Sequence, residues 1–166
     1  IIEALLLKKQ LADARALKKA NKGMKKAKVA SHISASSKDP EDKILFITEG
    51  QSAIGNLINV RKTAIHGGFP LRGKPRNVRE LKPTEIMKNK ELSELMSIIG
   101  LELGEPADDL NYGKIGILAD ADYDGFSIAA LLVNFFSNWK QLFDEERVLL
   151  IKSPIVVATK AKQIKR

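Results

Sequence analysis

The chain has 166 residues, 44% of them hydrophobic, no cysteine, and a net charge of +8 with a pI near 9.6. That length and apolar content suit one folded domain with an appendage and exclude a disordered chain. Disulfides and thiolate metal sites are excluded by the missing cysteine, and no apolar run reaches the ~18 residues a membrane span needs.

A basic excess favours polyanionic partners through counterion release, although a merely soluble basic protein would show the same charge. The first residue is not Met, so a piece of a longer polypeptide is expected. Ile1-Ile2 gives way to charge within a few residues, which argues against a signal peptide. A cysteine-free chain fits a reducing cytoplasm.

Residues 1–30 are predicted to form one long helix, because Leu7, Leu11, Ala14 and Leu17 recur at helical spacing with Lys and Arg on the other faces. Ten basic residues fall between Lys8 and Lys38, against Glu3 and Asp13 alone in residues 1–38. Such a helix serves as a strut, a coiled-coil seam, a basic face on a polyanion, or a solvated connector. Ser34, Ser36, Ser37, Asp39 and Pro40 read as a loop. The expected division is therefore 1–38 as helix and linker, and 39–166 as the main domain.

Lys43–Thr48 is a continuous apolar run, the pattern of a strand covered on both faces. Ser52–Arg61 follows as a helix with Ala53, Ile54, Leu57, Ile58 and Val60 inward and Ser52 as a candidate cap. From His66 to Asn77 the chain is rich in Gly and Pro and reads as a loop. In it Arg72, Lys74 and Arg76 alternate, a spacing suited to successive phosphates or simply to solvent. A helix is predicted from Pro83 or Thr84 to Ile99, closed by Gly100, with its methionines as packing residues. The acidic stretch Glu105–Leu110 reads as a solvated turn.

Lys114–Leu118 is a second strand, Asp120–Gly125 an acidic loop, and Phe126–Trp139 an amphipathic helix with Ile128, Leu131, Leu132, Phe135 and Phe136 on its apolar face, where the two aromatics read as core rather than as a base-stacking platform. Arg147–Thr159 reads as a strand interrupted by Pro154, before the basic tail Lys160–Arg166. Alternating strands and helices predict an α/β fold with a parallel sheet flanked by helices, preceded by the long basic helix.

Two strand ends stand out chemically. Glu49-Gly50-Gln51-Ser52-Ala53 follows the first strand, and Asp120-Ala121-Asp122-Tyr123-Asp124-Gly125 follows the second. Functional groups of open α/β sheets gather at carboxyl ends of strands. Glu49, Asp120 and Asp122 on one rim would make an all-oxygen pocket suited to Mg²⁺. In an extended segment Asp120 and Asp122 share a face, and Asp124 would join them or orient bound waters. Like charges raise one another's pKa, so a cation is the natural compensation. Gly125 would allow the turn into the next helix.

Other acidic-loop chemistries fit less well. An EF-hand needs a bidentate Glu at its twelfth position, where this chain has Leu131, and no strand should precede it. Haloacid-dehalogenase-like phosphatases and receiver domains share acidic strand ends, but predict neither Glu49-Gly50 nor the basic segment between the motifs.

In order and spacing, Glu49-Gly50-Gln51-Ser52-Ala53, Pro70-Leu71-Arg72-Gly73-Lys74…Asn77-Val78 and Asp120–Gly125 resemble the TOPRIM domain of type IIA DNA topoisomerases, in the ATPase-bearing subunit related to gyrase B. The resemblance covers about residues 28–160. The N-terminal helix looks like the family's transducer helix. His66-Gly67-Gly68 and Phe135–Trp139 look most like the large subunit of T-even-type bacteriophage topoisomerases.

The resemblance implies a TOPRIM (Rossmann-like) fold and a part in ATP-dependent double-strand DNA cleavage, passage and religation. It implies Glu49, Asp120 and Asp122 as catalytic and Mg²⁺-binding residues, with Mn²⁺ a possible substitute and Asp124 behind them. Glu49 would also be a general acid or base. Arg72, Lys74 and Asn77 fall on positions that contact DNA. The implied partners are double-stranded DNA, a breakage–reunion subunit or domain carrying the nucleophilic tyrosine, and an ATPase/transducer domain. ATP enters only through a domain absent from this chain, and the isolated piece is expected to be inactive.

Tyr112 and Tyr123 do not match the nucleophile, and His32 and His66 read as ordinary loop or surface groups. Gln51 departs from the family's usual Asp and removes one negative charge from the rim. The setting implied is a DNA-associated, cytoplasmic protein, in the host cytoplasm if phage-encoded. The residues also leave two alternatives open: a basic DNA-binding and assembly module without a catalytic role, and a metal-dependent TOPRIM nuclease.

Overall fold

The computed structural model describes residues 2–24 and 29–152, with side chains over 6–21 and 29–152. Its strands are β1 (Ile44–Thr48), β2 (His66–Pro70), β3 (Lys114–Ala119) and β4 (Val148–Lys152). Its helices are α1 (Ile2–Met24), α2 (Gly50–Val60), α3 (Pro83–Lys88), α4 (Lys90–Ile99), α5 (Tyr123–Phe136) and α6 (Gln141–Asp144). The strands form one parallel sheet in the order β2-β1-β3-β4. This is the expected Rossmann-like α/β arrangement.

Order decides where a site can form. From β1 the chain moves outward to β2, then returns to place β3 on the other side of β1. The loops after β1 and β3 therefore diverge and leave a crevice at their carboxyl ends, the general ligand position of such sheets. Thr48 pairs with Leu118, so Glu49 and Asp120 emerge within two positions of a shared register.

One face of the sheet carries most of the core. Leu45, Ile47, Ile115 and Ile117 are buried in a cluster with Leu92, Leu95, Met96, Leu132, Phe135 and Phe136. Each such side chain is worth about 1.5–3 kcal/mol when fully removed from water. Helix α4 joins this face through Leu92, Leu95, Met96 and Ile99, an i, i+3, i+4, i+7 stripe that is wholly buried. Phe135 and Phe136 of α5 are core, as expected, whereas Tyr123 and Phe126 in its first turn are exposed; Trp139 beyond its end donates its indole N–H to the Glu102 carbonyl at 3.0 Å. On the opposite face α2 lies against β2, with Ile54 and Leu57 buried.

Several boundaries differ from expectation. The His66–Pro70 segment, read as part of a loop, is the edge strand β2. Its glycines hide the strand signal, yet neighbours on both faces require them. A Cβ on Gly68 would stand 2.6 Å from Ile54 Cδ1, and one on Gly67 would strike the Tyr112 hydroxyl. Backbone bonds between Ile33 and Gly68, at 2.9 and 2.8 Å, cover part of that edge.

The single helix expected from Pro83 to Ile99 is two. Asn89 has extended backbone that ends α3, and its side chain accepts the Leu92 N–H at 3.1 Å to start α4. Gly100, at φ 94°, closes α4 as expected. Helix α2 begins at Gly50 rather than Ser52 and has no side-chain cap. Ile58 and Val60, expected inside, are 48% and 79% exposed, because α2 lies mainly over the edge strand β2 and buries only Ile54 and Leu57.

Helix α1 packs against α3 and α4, and Asn21 donates to the Leu103 carbonyl at 3.2 Å. Leu17 touches the core, while Leu7 and Leu11 of the expected stripe are more than half exposed. The end of the predicted first helix at 25–28, and everything after Lys152, including Pro154 and the basic tail, lie outside the described residues. No described helix is long and apolar enough to cross a membrane.

Candidate functional site

The strand β1 ends in a tight turn into α2. Buried Thr48 bonds the Gly50 carbonyl at 3.2 Å, and Gly50 takes φ +85°, a conformation that favours glycine. This turn holds Glu49 half-buried over the crevice. Its Oε2 is shielded from water and has no hydrogen-bond partner. The Asp120 backbone N–H donates to the Glu49 carboxylate. Burial, followed by the charges of Asp122 and Asp120 and then Asp124, pushes the Glu49 pKa above its ordinary value. The two distant motifs thus meet in one electrostatic neighbourhood.

They do not form a closed ligand set. Among the described residues, no three Asp, Glu or His side chains stand at metal-holding geometry. Two of the aspartates have local partners. Asp122 caps α5, its Oδ1 accepting the Gly125 N–H at 2.7 Å. Asp124 pairs with Lys74 Nζ at 2.7 Å. Asp120 also borders a second cleft, beside Phe126, Leu150 and Lys152, and has no side-chain partner there among the described residues.

The acidic loop is also shorter than expected, because α5 starts at Tyr123. Gly125 is needed for closeness rather than for turning: a Cβ there would collide with the Asp120 carbonyl oxygen. The glycine lets the first turn of α5 press on the strand end that carries Asp120.

The basic segment after β2 forms the opposite wall. Glu49, Gly50, Gln51, Arg72, Gly73, Lys74 and Asp124 border an open cleft of about 540 Å³. Its backbone is pinned by buried Leu71, Pro75 and Val78, so the exposed Arg72, Lys74 and Arg76 are carried on a fixed frame. Arg72 gives its N–H to Glu91 Oε1 at 2.6 Å and its guanidinium lies 3.7 Å from Glu94. Nothing in the sequence around these two α4 acids distinguishes them from an ordinary solvated helix face. Asn77 sits farther along: its Oδ1 accepts the Arg79 N–H at 3.1 Å and the Asn134 amide at 2.8 Å, tying the segment to α5. Gln51 is exposed on the cleft rim.

The remaining candidates lie elsewhere or have other work. Tyr112 is buried at the amino end of the sheet, its hydroxyl 2.7 Å from His32 Nε2 and accepting the Ala35 N–H at 3.3 Å. Burial, then the Lys43 charge, lowers the His32 pKa. Tyr123 is 84% exposed, with Lys74 Nζ 5.6 Å from its ring centre. His66 lies on β2, its Nδ1 accepting the Lys62 N–H at 3.3 Å.

No family model matches the chain. Relatives do. The DNA topoisomerase large subunit of Enterobacteria phage T4 is 50% identical over 109 residues, covering 64% of this chain and 21% of its own length. The DNA topoisomerase 2 of Acanthamoeba polyphaga mimivirus is 41% identical over 126 residues, covering 71% of this chain and 10% of its own. The solved DNA-binding, cleavage and re-ligation domain of Plasmodium falciparum topoisomerase II superposes with a TM-score of 0.73 and 31% identity, over 82% of this chain and 20% of that one. The crevice with its paired acidic and basic walls therefore sits in a chain homologous to one segment of type II DNA topoisomerases, spanning about a fifth or less of the length of each of these relatives.

Proposed function

We propose that this chain is the Mg²⁺-binding TOPRIM part of a gyrase B-like subunit, acting within an assembled type II DNA topoisomerase. It assists a tyrosine from another domain in cleaving and rejoining both strands of a duplex, while ATP is used by a domain outside this chain. Residues 1–38 would be the end of a transducer-like helix with its linker, and 39–166 the TOPRIM domain. The observation that carries this reading is the water-shielded, unpartnered Glu49 oxygen beside Asp120, Asp122 and Asp124. A buried acceptor of that kind costs roughly 1–3 kcal/mol unless something binds it.

The donor set fits a hard divalent cation: every candidate ligand is a carboxylate oxygen, and none is a thiol or imidazole. Glu49 and Asp120 would hold the ion, with Asp122 serving a second position. A bound cation would supply Lewis-acid stabilisation of charge on the scissile phosphate and its leaving oxygen. Glu49, with its raised pKa, is suited to exchange a proton with a departing or attacking 3′ oxygen. Arg72 and Lys74 would hold flanking phosphates and so fix the register of the duplex. Asn77 would add its amide to that contact.

The test is DNA cleavage by the assembled parent enzyme in Mg²⁺. Glu49→Ala or Asp120→Ala should lower cleavage by roughly a hundredfold or more while leaving the fold intact. Unchanged cleavage would sink the proposal.

One observation favours a second reading. Because Asp122 caps a helix and Asp124 is paired with a lysine, the carboxylates also suit a non-catalytic DNA-binding and assembly module. In that case DNA affinity would survive loss of the carboxylates, but would fall steeply with salt and with replacement of Arg72 or Lys74.

A further inference from the structure

Lys74 is the cation that the acidic rim already owns. Its Nζ lies 2.7 Å from Asp124 Oδ1 and 5.6 Å from the Tyr123 ring centre, and it borders the same cleft as Glu49. The contact is not buried: the Lys74 and Asp124 side chains are 46% and 63% exposed. Leu71 and Pro75 on either side are buried, so the ammonium can leave while its backbone stays in place. An exposed ion pair of this kind is worth little and exchanges partners readily.

We propose that Lys74 is an exchangeable counter-ion, which neutralises the rim in the free protein and moves to a DNA phosphate when duplex arrives, thereby opening the carboxylates to a divalent cation. This rests on the metal-binding reading above and adds a coupling to it. Lys74 pairs with Asp124 rather than with the proposed ligands, but it borders the cleft that holds Glu49, and an ammonium and a divalent ion sharing that rim repel. A phosphate removes the competitor. Loading of the metal and arrival of the DNA then become linked equilibria, each favouring the other. The Tyr123 ring gives the ammonium a second resting contact.

The experiment measures Mn²⁺ affinity by electron paramagnetic resonance or calorimetry, on the full-length protein, with and without a duplex oligonucleotide. Lys74→Met should bind Mn²⁺ about three- to tenfold more tightly than wild type in the absence of DNA. It should also show a smaller gain in Mn²⁺ affinity when duplex is added. Lys74→Arg, which keeps the charge, should behave as wild type. Equal or weaker Mn²⁺ binding by Lys74→Met without DNA would overturn the proposal. Asp120→Asn separates the two levels of inference. If Asp120→Asn loses Mn²⁺ binding while Lys74→Met matches wild type, only the counter-ion role fails. If Asp120→Asn binds Mn²⁺ as wild type does, the metal-binding reading fails and the coupling goes with it.

Discussion

At the amino end of the sheet, Arg147 donates to both carboxylate oxygens of Glu41 at 3.0 and 3.1 Å, to the Gly113 carbonyl at 3.0 Å, and to Glu145 at 2.6 Å. Its charge holds the Glu145 carboxyl below its ordinary pKa, through the hydrogen bond first, and Tyr112 finds His32 and the Ala35 N–H nearby. At the carboxyl end, Glu49 faces three aspartates, its pKa is raised, and one oxygen has no partner. The same four strands supply both ends. One end uses its charges to tie the starts of β1, β3 and β4 together, while the other pairs Asp124 with Lys74 but leaves a shielded Glu49 oxygen without a partner, at some cost to the fold. An uncompensated charge retained in a folded protein is a reasonable marker of a site, because structural charges settle into pairs.

Substitutions at the two ends should have opposite consequences. The largest stability effect is expected from Gly125→Ala, whose Cβ would collide with the Asp120 carbonyl oxygen. It should cost about 1–3 kcal/mol in denaturant unfolding and displace the carboxyl end, reducing Mn²⁺ affinity at the same time. Arg147→Met should destabilise by about 1 kcal/mol, since it frees two carboxylates and a carbonyl on a partly exposed surface. It should leave Mn²⁺ affinity unchanged, because it acts only at the amino end. Glu49→Gln should do the reverse. Without metal it should stabilise by about 1 kcal/mol, or about 2–4 °C in Tm, and on the metal-binding proposal it should show no Tm gain with Mg²⁺ where wild type should. A loss of stability in Glu49→Gln would remove the argument that Glu49 is held under strain.

Acidification sharpens the same contrast, with opposite signs at the two ends. Glu49 has a folded-state pKa above its unfolded value, so it destabilises the protein at neutral pH. That cost shrinks as pH falls through the raised pKa, and if Glu49 is a metal ligand as proposed, Mn²⁺ affinity should fall over the same range as a proton takes the ion's place. Glu145 has a lowered folded-state pKa, so its contribution is present above the ordinary carboxyl range and is lost as pH falls through the lowered value. Wild type and Glu49→Gln should therefore converge in stability as the solution is acidified. Parallel curves across that range would refute the assignment.

Much of the framework was legible before folding. The apolar runs of β1 and β3 and the stripes of α4 and α5 are long, strongly patterned segments, and core burial follows from them directly. The Glu49 and Asp120 motifs were legible too, because each follows such a run. The strand β2 was not, since Gly67 and Gly68 are explained only by Tyr112 and Ile54 packed against them. Nor was the break at Asn89, where one side chain diverts an otherwise continuous helical pattern. The T-even flavour read from His66-Gly67-Gly68 and Phe135–Trp139 accords with the 50% identity to the phage T4 large subunit.

By itself, then, the sequence determined which residues are apolar enough to be strands and helices, and which acids follow them, because both depend on local pattern and spacing. The partners those acids take were decided only by the tertiary structure. Asp122 turns to cap α5, Asp124 meets Lys74, and Glu49 is left with an unpartnered oxygen. Such outcomes depend on distances between segments dozens of residues apart, and on the mutual repulsion of charges that the sheet order brings together.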